Sequence, residues 1–434
     1  MKAFFKSLFV LIALGICAFP ALLVVLLASL RMLFFKKKRP AASGRTILLT
    51  GGKMTKCLQL ARMFQALGDR VIVAETPLYR WCGTRFSDSI EKFIKIPAIT
   101  GEGETYQQAL IDLAKVEKVD VFVPVASPKA ALYDAKAKPF FPSTTKVFHL
   151  DEDLVRQLDD KHQFSELCRS FGLSAPESYL VESQEALLSL QLTAGKKYIL
   201  KKIAYDPVYR LDLRQLPYSG WEKWLASLPI STEEPWVLQE FIEGREVCTH
   251  TTTQAGQINL YVCSDSSPFQ VNYKMLYLDQ VEAWVKSFIT QLGGTGQISF
   301  DFIIRDDGTV VPIECNPRTH SAITLFHNQL TAGRAYHPST DTKTYLPNES
   351  SGQTYWIYHE LYRLLTNKSP QQFFSLLKRI WTGKEAVFSW EDPWPFWFNN
   401  HVSIPYQLLQ RMKQGATWTR IDFNIGKLVV PGGD

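Results

Sequence analysis

The chain has 434 residues, 46% of them hydrophobic, with 48 Lys and Arg against 42 Asp and Glu, a net charge of +6 and a pI of about 8.8. This is material for two or three domains with real cores. The basic excess is too weak to mark a nucleic-acid binder, since part of it is one local cluster, Lys36, Lys37, Lys38 and Arg39. Seven cysteines, odd in number and without a CxxC pair, exclude a disulfide scaffold and fit a reducing compartment.

From Ser7 to Leu30 no charged residue occurs, which exceeds the ~20 residues that cross a bilayer. A cleaved signal would have a shorter apolar region, and KKKR directly behind it resists translocation. Lys2 and Lys6 precede the stretch, and Arg31 with Lys36–Arg39 follows it. The positive-inside rule then predicts a single-pass N-terminal anchor holding the bulk of the chain on the cytoplasmic face. A helix lying flat in the interface is disfavoured because no polar face is visible.

RPAASGR (Arg39–Arg45) is a linker. TILLTGG predicts a strand and a glycine turn, and Cys57, Leu60, Ala61, Phe64 and Leu67 follow at helical spacing. GDRVIVAE and VDVFVPV are further apolar strands with a helix around Tyr106–Val116 between them. The alternation predicts a small parallel α/β domain over residues 44–150. TGGKMTK lacks both phosphate-loop spacings, although a helix N-terminus touching an anionic substrate group stays open. Cys57, Cys168 and Cys263 lie in apolar patterns and read as small buried side chains.

From Asp151 the pattern changes. Two helices are expected, with Asp151 as N-cap and Gly172 as C-terminal stop. KKYILKKI is a strand, PWVLQEFIEGREVCTHTTT a strand, turn and strand, and GQINLYVCS continues antiparallel. A helix over about Leu278–Gln291 precedes TGQISFDFII and VVPIECN, which form a hairpin turning at Asp306–Gly308, so Asp306 and Asp307 are turn residues. After Gly333 the pattern loosens. Two amphipathic helices and a Trp/Phe cluster close the chain, covering the main domain or resting on a bilayer surface.

The hairpin carries the chemistry. Residues 301 and 314 lie equally far from its turn, so Asp301 and Glu314 fall opposite each other, and Asn316 shares the face of Glu314. Two carboxylates and an amide oxygen are hard ligands suited to Mg²⁺ with bound phosphates; solvated edge carboxylates are the plainer alternative. Lys161 opens a helix and Lys201 ends an apolar strand, each an ordinary surface lysine when taken alone. Beside such a hairpin both become candidates for phosphate oxygens. Backbone groups at Glu240, Phe241 and Ile242 are placed to read an adenine edge, and Glu246 to hold ribose hydroxyls. Thr319, His320 and Ser321 follow Arg318 and should line the same site. His320 would orient a substrate hydroxyl or assist proton transfer. His250 either faces the cleft or is an ordinary satisfied histidine.

The ordered series LDDK, YILKK, LQEFIEGREV, SFDFI and IECNPR resembles the ATP-grasp superfamily. That resemblance implies an α/β fold in which residues 1–43 are anchor and linker, 44–150 a preceding α/β domain, 151–332 the two-subdomain nucleotide-binding unit, and 333–434 an aromatic-rich extension. It implies that Lys161 and Lys201 bind ATP phosphates, that Glu240 and Glu246 bind the nucleoside, and that Asp301, Glu314 and Asn316 bind Mg²⁺. Two ions are expected, with Mn²⁺ as the alternative metal. Arg318 would stabilise the transferring phosphoryl group. The segments GGKMTKCLQLAR, KYILKKIAYD, QEFIEGREVCTHTT, IECNPRTHSAIT and IDFNIGKLVVPGGD further resemble the mycosporine-glycine synthases of cyanobacterial sunscreen biosynthesis. This implies ATP-dependent condensation of 4-deoxygadusol with glycine through a phosphorylated intermediate. An amino-acid or peptide ligase, and a membrane-tethered ATP-binding protein without turnover, stay open beside it. One departure is that the loop after Lys201 has no glycine but carries Arg210 and Arg214, which would bind phosphate through guanidinium groups or pack as a lid.

Overall fold

A computed structural model of the protein describes residues 2–35, 40–125, 127–204, 209, 212–266, 272–337, 343–366 and 369–430. The cluster Lys36–Arg39 and Arg210 lie outside these residues. Helix α1 (Lys2–Phe34) leads into a five-stranded parallel sheet in the order β3-β2-β1-β4-β5. Its strands are β1 (Thr46–Thr50), β2 (Arg70–Glu75), β3 (Lys92–Lys95), β4 (Val121–Val123) and β5 (Lys146–Val147), joined by α2 (Thr55–Ala66), α3 (Glu104–Val116) and α4 (Pro128–Ala137). β1 is buried on both faces, as a central parallel strand with helices on either side must be. The short edge strands β3 and β5 lack a long apolar run, which is why the sequence conceals them.

Helices α5 (Glu152–Asp159) and α6 (Lys161–Ser170) open the next unit. Asp160 caps α6, accepting from the backbone N–H groups of His162 and Gln163. Asp151 sits at the start of α5 but makes no side-chain cap; its carboxylate pairs with Lys138 at 2.6 Å instead. Gly172, at φ 69°, stops α6 as expected. A four-stranded antiparallel sheet follows in the order β6-β9-β7-β8: β6 (Ser178–Val181), β7 (Tyr198–Lys202), β8 (Gln215–Leu216) and β9 (Trp236–Glu240), with short helices α7 (Gln184–Ser189) and α8 (Trp221–Leu225) beside it.

The central antiparallel sheet runs β11-β10-β13-β14, formed by β10 (Arg245–Gln254), β11 (Gln257–Asp265), β13 (Gly296–Ile304) and β14 (Val310–Asn316). Between these lie β12 (Asn272–Lys274) and α9 (Asp279–Leu292). α9 packs Trp284 and Phe288 on Phe300 and Phe302 of β13, ring centroids 4.9–5.4 Å apart. The opposite face of the sheet is left for the site.

The C-terminal part contains β15 (Gln353–Tyr355), α10 (Ile357–Thr366), α11 (Pro370–Thr382), β16 (Lys384–Glu385), α12 (Trp394–Phe398), α13 (Ile404–Lys413), β17 (Arg420–Asp422) and β18 (Lys427–Val429). Both amphipathic helices expected there are present as α10 and α11. The Trp/Phe cluster is largely core. Phe396, Ile404, Leu408, Trp418 and Phe423 join the same buried cluster as β1 and α2, while α11 leaves Phe374 and Trp381 exposed. All seven cysteines are free.

Candidate active site

β13 and β14 pair with Asp301 directly opposite Glu314 and Ser299 opposite Asn316. The turn between them uses Gly308 at φ 84°, and Asp307 accepts from the Thr309 N–H. Asp301, Glu314 and Asn316 therefore stand together, Asn316 donating its amide to Asp301 at 3.3 Å.

Four cations surround this face. Lys161, the first residue of α6, meets Glu314 at 3.1 Å. Lys201 on β7 donates to Gln239 at 2.8 Å. Arg318 is held between Asp159 at 2.9 Å and the side-chain oxygen of Asn316. Lys56 of α2 approaches from the N-terminal unit and donates to the Thr319 carbonyl at 2.5 Å.

Burial and these neighbours divide the two carboxylates. Burial, with Glu314 and Glu246 nearby, raises Asp301 to about 7. Burial also works against the Glu314 charge, but Lys161 and Lys201 overcome it and hold that carboxyl at about 2. Burial lowers Lys201 to about 8. A carboxylate that resists ionisation beside an ionised one, despite the lysines and arginine around them, would be relieved by a divalent ion held by Asp301 and Glu314. Among the described residues no group of three or more His, Cys, Asp or Glu side chains is placed to hold a metal. Two carboxylates and an amide suit Mg²⁺, which commonly takes one or two protein carboxylates and completes its shell with phosphate and water. Asp301 and Glu314 therefore fit Mg²⁺, and Asn316, whose oxygen here accepts from Arg318, would have to turn that oxygen to join them.

The nucleotide-side residues divide. Glu246 is half-buried on β10, accepts from Ser266 at 2.9 Å, and lies close enough to act on both Asp301 and Lys201. The Glu240 carboxylate is committed elsewhere: Lys196 stands at 3.2 Å, Arg305 at 3.1 Å, and the Glu177 N–H donates at 3.1 Å. Its side chain fastens β9 to the hairpin turn between β13 and β14, beside the backbone groups expected to read an adenine edge. The backbone N–H groups of Glu240 and Phe241 donate to the Glu177 and Lys197 carbonyls. Ile242 follows with its side chain buried. Arg214 pairs with Asp212 at 2.9 Å and lies 4.9 Å from the Trp224 ring, so this guanidinium packs the segment rather than facing phosphate.

Beyond Arg318 lies a second cluster, made by three parts of the chain. The His320 backbone N–H donates to His250 Nδ1 at 3.3 Å, and the Ala322 N–H to His320 Nδ1 at 3.3 Å. Both rings then carry their proton on Nε2. Burial holds His320 near 3 and His250 well below the usual histidine range, so both are neutral N–H donors. Of the two roles expected for His320, this geometry favours orienting a substrate hydroxyl over proton transfer, since the one free lone pair of the ring accepts from the backbone. Buried polar atoms here lack a protein partner, namely His250 Nε2, Thr319 Oγ1 and Asn424 Oδ1. Asn424 arrives from the loop after β17, binding Ser321 through its amide at 2.8 Å and taking the Thr55 N–H at 2.9 Å on its carbonyl. That carbonyl takes up the first N–H of α2.

What the N-terminal unit contributes is Lys56, which sequence reasoning passed over. Its burial, with Arg318 and Lys53 nearby, lowers it to about 7. Gly51 at φ 72° makes the turn that delivers it. At Gly52 a Cβ would stand 2.8 Å from Val73. The sequence signal for Lys56 was the rejected loop TGGKMTK, whose glycines serve this turn and not a phosphate cradle.

No protein-family description and no curated protein sequence matches this chain. Solved structures do. The chain superposes on an L-amino acid ligase from Bacillus licheniformis at a TM-score of 0.52 and 15% identity, covering 70% of this chain and 76% of that one. For N5-carboxyaminoimidazole synthetase from Staphylococcus aureus the values are 0.52 and 14%, over 69% and 78%. A biotin carboxylase–nucleotide complex from Campylobacter jejuni gives 0.51 and 13%, over 68% and 72%. The chain thus has the ATP-grasp fold of these proteins.

Proposed function

We propose that the chain is an ADP-forming ATP-grasp ligase that phosphorylates an oxygen of a small acceptor and joins the activated carbon to an amine. The register pair Asp301–Glu314, with Lys161 on Glu314 and Lys201 and Arg318 around it, carries this reading. A structural hairpin gains nothing from two adjacent, half-buried carboxylates of opposed ionisation. Asp301, Glu314 and Asn316 would hold Mg²⁺, which would supply positive charge to offset what grows during phosphoryl transfer. Lys161 and Lys201 hold the phosphates, Glu246 faces the ribose, and Arg318 takes the transferring group's charge.

The acceptor is then 4-deoxygadusol and the amine glycine. The motif series from GGKMTKCLQLAR to IDFNIGKLVVPGGD supports this, and so does the acceptor cluster. His250 and His320 offer neutral N–H donors to an oxygen-rich ligand. Lys56, poised near neutrality, accepts the enol proton and stands as an ammonium beside the enolate. The enol oxygen takes the γ-phosphoryl group as the bond to ADP breaks. The glycine nitrogen bonds to the carbon carrying the phosphate, that C–O bond breaks, phosphate leaves and the nitrogen gives up a proton.

Incubation with Mg²⁺, ATP, 4-deoxygadusol and glycine should yield ADP and an adduct identified by mass. ADP only with a different carboxylate acceptor would replace the acceptor assignment; ADP with none would remove the ligase. At saturating Mg²⁺·ATP, kcat/KM for the acceptor should rise with pH through about 7, because Lys56 is an ammonium below that value and cannot take a proton. Lys56→Arg should lose this limb and about 10²-fold or more in rate; a limb unchanged in that variant refutes the base. His320→Gln, which keeps an N–H donor, should leave the acceptor KM within about threefold, whereas His320→Phe should raise it about tenfold or more. Equal losses in both would restore a proton-transfer role.

A further inference from the structure

Helix α1 has two unlike faces. Ser7, Leu14, Val25 and Ala28 are buried and fall on one stripe. The C-terminal part holds that stripe from end to end. Lys6 donates to the carbonyls of Trp418 and Thr419 at 3.2 and 2.7 Å, and the Trp418 indole donates to Ser7 at 2.8 Å. His401 Nδ1 lies 3.1 Å from the Leu14 carbonyl, its Nε2 taking the Tyr358 hydroxyl at 2.8 Å. The Trp397 indole donates to the Ala18 carbonyl at 3.4 Å, and Arg31 stands 5.9 Å from the Trp390 ring. From Trp390 to Trp418 the chain therefore runs antiparallel along α1, and α12 and α13 lie between α1 and the core.

The other face carries Phe9, Ile12, Ile16, Phe19, Leu23 and Leu30, all exposed. The apolar window has a mean hydropathy of 3.0 with 11% of it buried. Length alone predicts a single crossing, but the contacts argue otherwise. Lys6 to Arg31 spans roughly 37 Å at 1.5 Å per residue, more than the ~30 Å hydrocarbon layer. A bilayer crossed by α1 would have to contain Trp397, His401 and α13, whose last turn carries Arg411 and Lys413. Charged groups at such depth cost about 2.5–3.5 kcal/mol each on insertion scales.

We propose that α1 is a monotopic anchor lying in the plane of a lipid bilayer's interface, its outer face among the acyl chains and the protein body above it. The missing polar face of the helix is supplied by the body, through the hydrogen bonds that fix it there. A second copy of the chain is a poorer occupant. Protein interfaces carry a polar rim and about one hydrogen bond per 100–200 Å², whereas the outward positions named here offer no side-chain donor or acceptor.

The full chain should float with phosphatidylcholine vesicles. Phe9→Glu/Ile16→Glu/Phe19→Glu should reduce flotation about tenfold or more while circular dichroism and ADP binding stay unchanged, since the docked stripe is untouched. With protein added to sealed vesicles, external protease should remove an N-terminal epitope. Fluorophores at positions 9, 16 and 23 should be quenched equally by shallow nitroxide lipids. A protected N-terminus with a depth gradient through the bilayer centre would overturn the in-plane placement in favour of a crossing. A defined dimer that stays off vesicles would overturn the membrane as occupant.

Discussion

Asp301→Asn is expected to abolish Mg²⁺-dependent ADP formation, by about 10³-fold or more, and at the same time to stabilise the ligand-free protein. The two effects have one cause. Burial and the neighbouring Glu314 raise the Asp301 carboxyl to about 7, against an ordinary value of 3.8. Between those values the folded chain binds a proton that the unfolded chain has released, so stability falls as pH rises from about 4 to 7. At pH 8 the wild type holds an ionised carboxylate against its environment, a cost of up to about 4 kcal/mol at 1.36 kcal/mol per pKa unit. Asparagine removes the charge and keeps the shape. Thermal unfolding should show Asp301→Asn melting above wild type at pH 8, with the difference shrinking as pH falls and vanishing only below about pH 4. Mg²⁺ with ATP should raise the wild-type midpoint and leave the variant's almost unmoved. A variant destabilised at pH 8 would mean that Asp301 serves the fold, and the metal assignment would fall with it.

The same carboxylate shows what could be read ahead of the structure. The separation of 301 from 314 about a glycine-bearing turn suggests that they face each other, and they do, but through a β-bulge between Asp301 and Phe302; the register nearer the turn, continued strictly, would have set Ile313 opposite Asp301. Lys161 and Lys201 were legible for a similar reason: each interrupts a strong local pattern, a helix start and an apolar strand. Lys56 was not. It opens α2 just after a glycine turn that fails the phosphate-binding spacing, and its role depends on Thr319 more than two hundred residues later and on Asn424 beyond that. No local pattern encodes such contacts. The pairing of the Glu240 side chain was hidden for the converse reason. Its position beside the linker is locally apt, but Lys196 and Arg305 arrive from other strands and claim its carboxylate. The α1 helix combines the two cases. Its apolar length is plain in the sequence, whereas the hydrogen bonds from Trp397, His401 and Trp418 that fix its direction come from residues nearly four hundred positions away.

Arg318→Lys should cut kcat by about 10³-fold or more while changing the ATP KM only about threefold. Arg318 is not a free cation. One nitrogen binds Asp159 at the end of α5 at 2.9 Å and the other binds Asn316 at the end of β14. The guanidinium plane is thereby set at the junction between the hairpin proposed to hold the metal and Thr319–His320, proposed to face the acceptor. A lysine keeps the charge but has no fork with which to hold both anchors, and a compact ammonium cannot span the same oxygens. Because the arginine's contribution is needed when charge moves onto the transferring group, its loss belongs to kcat and not to ground-state nucleotide affinity. Asp159→Asn tests the positioning separately: it keeps a hydrogen-bond acceptor and should cost only about tenfold. ADP formation under single-turnover conditions with acceptor present, alongside ADP affinity by calorimetry, measures the split. If Arg318→Lys instead raised the ATP KM in proportion to its loss of kcat/KM with kcat intact, Arg318 would be a nucleotide clamp. The charge on the transferring group would then fall to Lys201, the remaining cation that approaches Glu314 from the opposite sheet.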